Sequence, residues 1–197
     1  MKILLANPPC RIDLGNGRER FFVRAGSRWP FSVVKDEGCK QSYVPFPFYL
    51  AYTAALLEKS EHDVFVIDAI PLNMTKKEFV EKTIEYDPDI ILFETSTPTF
   101  NYDIQLVDEL KKLKNFTIVL TGSHVTTYPE ESLKKCENID YIFKNEYELN
   151  FNEFIKAFSE GKSVDKIPGI GFRKNGKMII NETELTPLDK LPIPARQ

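Results

Sequence analysis

Short apolar runs alternate with amphipathic stretches along most of this chain. Residues 2–6, 63–68, 89–94, 116–120 and 140–143 are apolar runs of strand length. Between and after them, apolar residues recur at helical spacing. Leu50, Ala51, Ala54 and Leu57 share one face of a helix over 46–60. Phe79 and Ile84 lie on a helix over 75–86, which Thr75 opens as a cap with Glu78 three residues later. Ile104, Val107 and Leu110 mark a third over 100–114, ending in Lys111, Lys112 and Lys114 as the helix dipole favours. A short helix opens at Pro129, and a last one over 149–159 packs Phe151, Phe154, Ile155 and Phe158. Strands alternating with helices predict a parallel α/β sheet with right-handed crossovers and helices on both faces.

Two segments break this rhythm. Residues 10–45 hold Gly15, Gly17, Gly26 and Gly38 among several Arg and Lys, with neither helical nor strand period. A structureless loop of that length is more often functional than idle. After Gly161, Gly169 to Arg173 and Met178 to Ile180 flank Asn175-Gly176, which reads as a β-hairpin. The tail from Pro187 is proline-rich and extended, in the manner of a linker. The expectation is a five-stranded parallel sheet of flavodoxin-like (Rossmann-like) order over 1–165, then hairpin and linker over 166–197.

Residues 118–131 read as a buried strand, a glycine turn at Gly122, and a helix opened by Pro129 with Glu130 and Glu131 in its first turn. In an open α/β sheet, ligands bind outside the carboxyl ends of the strands. The tips here are Asn7-Pro8-Pro9, then Thr95, Ser96, Thr97, Pro98 and Thr99, then Thr121, Gly122, Ser123, His124 and Val125, and finally Asn145 and Glu146. They offer hydroxyls, amides and small side chains with almost no charge. That suits a large neutral ligand better than a phosphate-rich nucleotide, because no G-x-G-x-x-G or Walker loop is present. From spacing alone, the plainer account of Thr95 to Thr99 is a turn and helix start. Gly122 likewise reads as a turn glycine, His124 as a hydrogen-bonding loop residue, and His62 as a solvated turn residue. Trp29, Tyr43, Phe46, Phe48 and Tyr49 suit either a core or a flat ligand. Glu94 ends a buried strand and needs a partner or a ligand hydroxyl.

Composition narrows the classes. The net charge of −3 gives no reason to expect nucleic acid or an anionic membrane surface. No apolar run reaches transmembrane length. Cys10, Cys39 and Cys136 are scattered, which argues for a reducing cytoplasm and against a disulfide framework. No CxxxCxxC cluster motif is written here.

Several of these residues together resemble a family. They are Asn7-Pro8-Pro9 after the first strand, Asp87-Pro88-Asp89-Ile90, Thr121-Gly122-Ser123-His124 with Pro129-Glu130-Glu131, and Asn145-Glu146-Tyr147-Glu148. The set is similar to the N-terminal cobalamin-binding domain of B12-dependent radical SAM proteins. Pro168-Gly169-Ile170 and Leu191 to Arg196 resemble the stretch that joins that domain to a radical SAM barrel. The family's usual pattern has Gly-Gly at Thr121-Gly122 and Gly-Glu-Gly-Glu at Asn145 to Glu148.

The resemblance implies cobalamin bound base-off, its nucleotide tail buried between Thr95 to Thr99 and Thr121 to Val125, with Asn145 and Glu146 closing the edge. It implies a cytoplasmic protein whose partners are cobalamin and a radical SAM domain beyond residue 197. S-adenosylmethionine and a [4Fe-4S] cluster would serve only a full-length enzyme, with methyl transfer as the favoured reaction. The chain alone is expected to be inactive. No histidine fits a cobalt-ligand motif, so Trp29, Arg28 or Tyr43 is expected over the lower face of the cobalt. A bulky residue at Gly122 is expected to occupy the tail's space with the fold intact. The alternative is a flavodoxin-like or receiver-type module that binds flavin or nucleotide or acts in signalling.

Overall fold

A computed structural model describes residues 1–16, 18–22, 32–35 and 46–196. Its parallel strands are β1 (Lys2–Asn7), β5 (Asp63–Asp68), β6 (Ile90–Glu94), β7 (Thr117–Thr121) and β8 (Tyr141–Phe143). They stand side by side in the order β5-β1-β6-β7-β8, as the sequence predicts, with the switch point between β1 and β6. The sheet has seven strands rather than five. The hairpin of β9 (Ile170–Lys174) and β10 (Lys177–Ile180) pairs antiparallel with β8 and becomes the sheet's edge. Without β9, the outer side of β8 would present unpaired backbone groups. Asn175 and Gly176 turn the hairpin with φ of 51° and 74°, the positive pair that a two-residue turn requires.

A second correction concerns residues 10–45, expected to be structureless. Within them β2 (Arg11–Gly15), β3 (Arg18–Phe22) and β4 (Ser32–Lys35) form a separate three-stranded antiparallel sheet. Charged residues at successive positions, such as Arg18, Glu19 and Arg20, leave little alternation in the sequence to betray it. Arg28, Trp29, Cys39 and Tyr43 lie outside the described residues.

The helices are α1 (Phe48–Lys59), α2 (Lys76–Tyr86), α3 (Phe100–Leu113), α4 (Ser123–Thr127), α5 (Pro129–Lys135) and α6 (Glu148–Ser159). The short α4 was not expected. Alternate strand residues face opposite layers. Ile3, Leu5, Ile90 and Leu92 pack with Leu50, Ala54 and Leu57 of α1 and Phe151, Phe154 and Ile155 of α6. Leu4, Ala6, Ile91 and Phe93 pack with Phe79 of α2, Leu106, Val107 and Leu110 of α3, and Leu133 of α5. Each such aliphatic or phenylalanine side chain contributes roughly 1.5–3 kcal/mol on full burial. The box expected at α2 is formed. Thr75 Oγ1 accepts from the Glu78 amide at 3.2 Å, and Glu78 Oε2 accepts from the Thr75 amide at 2.7 Å.

Arg173 on β9 ties the hairpin to the core. Its guanidinium donates to the carbonyls of Leu133, Cys136 (2.7 Å) and Ile139 (2.7 Å), where α5 ends. A cation is favourable at that end of a helix. The C-terminal segment runs back along α1 instead of leaving the surface, with the Ala195 amide donating to the Ala51 carbonyl at 3.0 Å. Among the described residues, no helix is long and apolar enough to cross a membrane.

Gly122 follows β7 with φ 105° and ψ −174°, backbone space that only glycine enters freely. A Cβ there would stand 2.2 Å from the Thr95 carbonyl oxygen and 3.0 Å from the Thr95 nitrogen. The glycine is required by the neighbouring strand's backbone, so a bulky replacement does not leave the fold intact. Gly122→Ala is expected to destabilise the protein by about 3 kcal/mol or more, from strain plus overpacking. Urea unfolding checks this as a lowered midpoint at unchanged slope.

Candidate functional site at the carboxyl edge of the sheet

Strands β1, β6, β7 and β8 end level at one edge, and the loops after them carry the residues singled out in the sequence. After β6 the chain stays buried through Thr95 and Ser96. The Thr95 amide donates to the Thr121 carbonyl at 2.8 Å, extending the β6–β7 ladder by one bond. The hydroxyls of Thr95 and Thr99 donate to Asp103 Oδ2 at 2.6 and 2.8 Å, and the Ser96 amide donates to Thr99 Oγ1 at 3.1 Å. Asp103 sits in the first turn of α3, where the dipole favours a carboxylate. Thr95, Ser96 and Thr99 therefore build the start of a helix, while Thr97 and Pro98 remain exposed.

After β7, Thr121 is fully buried and its hydroxyl donates to the Phe143 carbonyl at 3.1 Å. Val125 is in the core. Ser123 is exposed, and Gly122 and His124 are half-buried. The His124 ring stacks on Phe100, with centroids 3.9 Å apart, and its Nδ1 lies 3.3 Å from Thr97 Oγ1. Burial, then the charge of Lys135, lowers its pKa below the usual histidine value, so the ring is neutral at neutral pH. Asn145 and Glu146 are exposed. The Asn145 amide donates to Thr126 Oγ1 at 2.8 Å, and its Nδ2 donates to Thr183 Oγ1 at 2.9 Å. The loops after β7 and β8 are thus tied to each other and to the segment that follows β10.

Just beneath this rim lie Asn7, Glu94 and Thr121, singled out in the sequence, together with Asp68, Tyr147 and Glu148, to which the sequence reading gives no role in the site. Asp68, Asn7, Glu94 and Thr121 end four neighbouring strands, with Asn7 paired to Asp68 and Glu94 paired to Thr121. By strand alternation all four face the layer of α1 and α6. Asn7 Nδ2 approaches Asp68 Oδ1 at 3.5 Å, and the buried Asn7 Oδ1 has no hydrogen-bond partner among the described residues. Tyr147, just before α6, is 1% exposed and donates its hydroxyl to Glu94 Oε1 at 2.6 Å. This is the partner Glu94 was expected to need. Burial, then the Glu94 charge, pushes the phenol well above its usual pKa, so it stays a donor. Glu148 beside it is also buried, and burial raises its pKa.

Thr121 and Tyr147, which stand where the resembling family carries glycine, both adjoin Glu94. Polar residues at the last position of four successive strands were a signal available in the sequence. Which helix closes over them was not. Among the described residues, no group of three or more His, Cys, Asp or Glu is placed to hold a metal. The exposed rim offers mainly hydroxyls and amides, spread across four loops.

Comparison with known proteins adds to this geometry. A family model for the B12 binding domain matches residues 41–155. An uncharacterized methyltransferase of Pyrococcus horikoshii is 34% identical over 154 residues, covering 76% of this chain and 33% of the relative. The anaerobic magnesium-protoporphyrin IX monomethyl ester cyclase of Synechocystis is 28% identical over 182 residues, covering 91% and 32%. The chain spans about a third of the length of these curated relatives. Among solved structures, the cobalamin-dependent radical SAM enzyme OxsB, with aqua-cobalamin and S-adenosylmethionine bound, superposes with a TM-score of 0.71 at 15% identity. The match covers 98% of this chain and 24% of that one. The radical SAM methyltransferase TsrM from Kitasatospora setae, with cobalamin and a [4Fe-4S] cluster bound, gives 0.66 at 20% identity, covering 99% and 31%. At such identity these two neighbours speak for the fold, while the family model matches more than half of the chain directly. An open parallel sheet with a neutral, hydroxyl-rich carboxyl edge belongs, in this chain, to a member of the B12-binding domain family.

Proposed function

We propose that the chain binds cobalamin base-off, with no histidine on the cobalt, as the B12-binding domain of a radical SAM methyltransferase. The observation that carries the histidine part is where the only two histidines lie. His62 stands just before β5, at the amino edge of the sheet and so opposite the site. His124 is engaged sideways, stacked on Phe100 and bonded to Thr97.

The residues present fit the cofactor. Cobalamin is large, and its rim of amides presents both donors and acceptors. The exposed tips offer mainly hydroxyls and amides, with Lys144 and Glu146 as the charged residues of the loop after β8, and the Asn7 Oδ1 acceptor at the switch point has no donor among the described residues. On this reading Thr97, Pro98, Gly122, Ser123, His124, Asn145 and Glu146 meet the cofactor directly. Thr95, Ser96, Thr99, Thr121 and Val125 hold those loops in place from within. When bound, cobalamin supplies a cobalt centre able to carry a methyl group. A radical SAM domain as partner would hold S-adenosylmethionine and the iron–sulfur cluster.

Hydroxocobalamin mixed with the chain and desalted is expected to leave corrin absorbance bands on the protein. Retention of flavin with no corrin would instead support the flavodoxin-like alternative. In the bound Co(II) form, electron paramagnetic resonance is expected to show no nitrogen superhyperfine splitting. Splitting lost in His124→Ala would identify a histidine ligand, and splitting that persists there would identify a base-on cofactor. Either result contradicts the proposal.

A further inference from the structure

Tyr147 holds an unusual place for so large a side chain. It heads the fully buried residues by volume, yet it stands at the cap of α6, outside the helix proper. Its ring meets Tyr49 of α1 edge-on, with centroids 6.5 Å apart, and the Thr53 hydroxyl lies beside its oxygen. Its hydroxyl reaches Glu94 on the central strand. One flat ring thus closes the space bounded by the sheet, α1 and α6, directly beneath the candidate site.

Three features bear on whether that space opens. First, Tyr147 precedes the helix, and Asn145 two residues earlier is in the left-handed region with φ 56°. A side-chain swing there breaks no helical turn. Second, two polar atoms at this end of the layer, Asn7 Oδ1 and Glu148 Oε2, are buried with no hydrogen-bond partner among the described residues. Buried polar atoms normally find partners. Third, the bond that holds the ring is an O–H donated to a carboxylate, and a sugar hydroxyl is the same kind of donor. A planar aromatic base is the same kind of flat, largely apolar group as the phenol it would displace, and larger.

We propose that Tyr147 is a gate. Its hydrogen bond to Glu94 closes the slot, and the nucleotide base of a complete cobalamin enters only after the ring swings out. A ribose hydroxyl then replaces the phenol on Glu94. Corrinoids without a nucleotide bind at the rim and do not feel the gate. The proposal rests on the cobalamin reading above.

The test uses the full chain, hydroxocobalamin, and diaquocobinamide, which lacks the nucleotide. Corrin absorbance reports both affinity and association rate. In the unmodified chain, the cobalamin association rate should level off with ligand concentration while the cobinamide rate rises linearly. Tyr147→Phe removes the bond to Glu94 and keeps the ring. By enlarging the open fraction it should tighten cobalamin about fivefold and leave cobinamide within about twofold. Linear association for both ligands, or equal changes in both affinities, would overturn the gate and leave cobalamin binding standing. Failure of either corrinoid to bind the unmodified chain would overturn the cobalamin reading, and the gate with it. Should Tyr147→Phe fail to fold, the rate comparison on the unmodified chain decides alone.

Discussion

The Thr95 amide donates to the Thr121 carbonyl, and at the next residue the chain must turn with only hydrogen on its Cα. That contact between two strand ends sets the level of the whole edge. It fixes where α3 begins, because Thr95 and Thr99 then share Asp103. It fixes where α4 begins, because Gly122 is its cap. It also places Glu94 beside Thr121, where Tyr147 finds it. The loops a ligand would meet hang from a backbone arrangement that makes no use of a ligand.

Charge is handled at this edge by burial instead of by ion pairing. The Tyr147 phenol, the His124 imidazole and the Glu148 carboxyl are all shifted toward their neutral forms, with desolvation the leading cause in each. A site so arranged keeps a hydrogen-bonding character that changes little around neutral pH. This matches a neutral, amide-rimmed ligand, which is bound through hydrogen bonds more than through charge.

Much of the fold was legible because its signals are local. The apolar runs, the Thr75–Glu78 box and the Asn175-Gly176 turn each announce themselves within a few residues. The hand of each crossover follows from a rule that needs no long-range information, and the strand order is the one that flavodoxin-like sheets share. Two things were not legible. The pairing of β9 with β8 joins elements separated by α6, and no local pattern says whether a hairpin stands alone or extends a sheet. The division of labour among Thr95 to Thr99 was equally hidden. Threonines at a strand tip read alike whether they face solvent or, as with Thr95 and Thr99, reach back to an aspartate one helical turn into the next helix.

The segment that returns over α1 has a consequence for how the molecule is put together in time. Ala195 and Ala51 are separated by most of the chain, yet their backbones bond directly. Such a contact closes a very large loop, and it gains nothing until the sheet beneath α1 exists. The clasp is therefore among the last parts to form and among the first to release. Until it closes, one flank of α1, the helix that carries Tyr49 and Thr53, remains open. The seating of α1 against the sheet thus depends in part on a segment far along the chain from it.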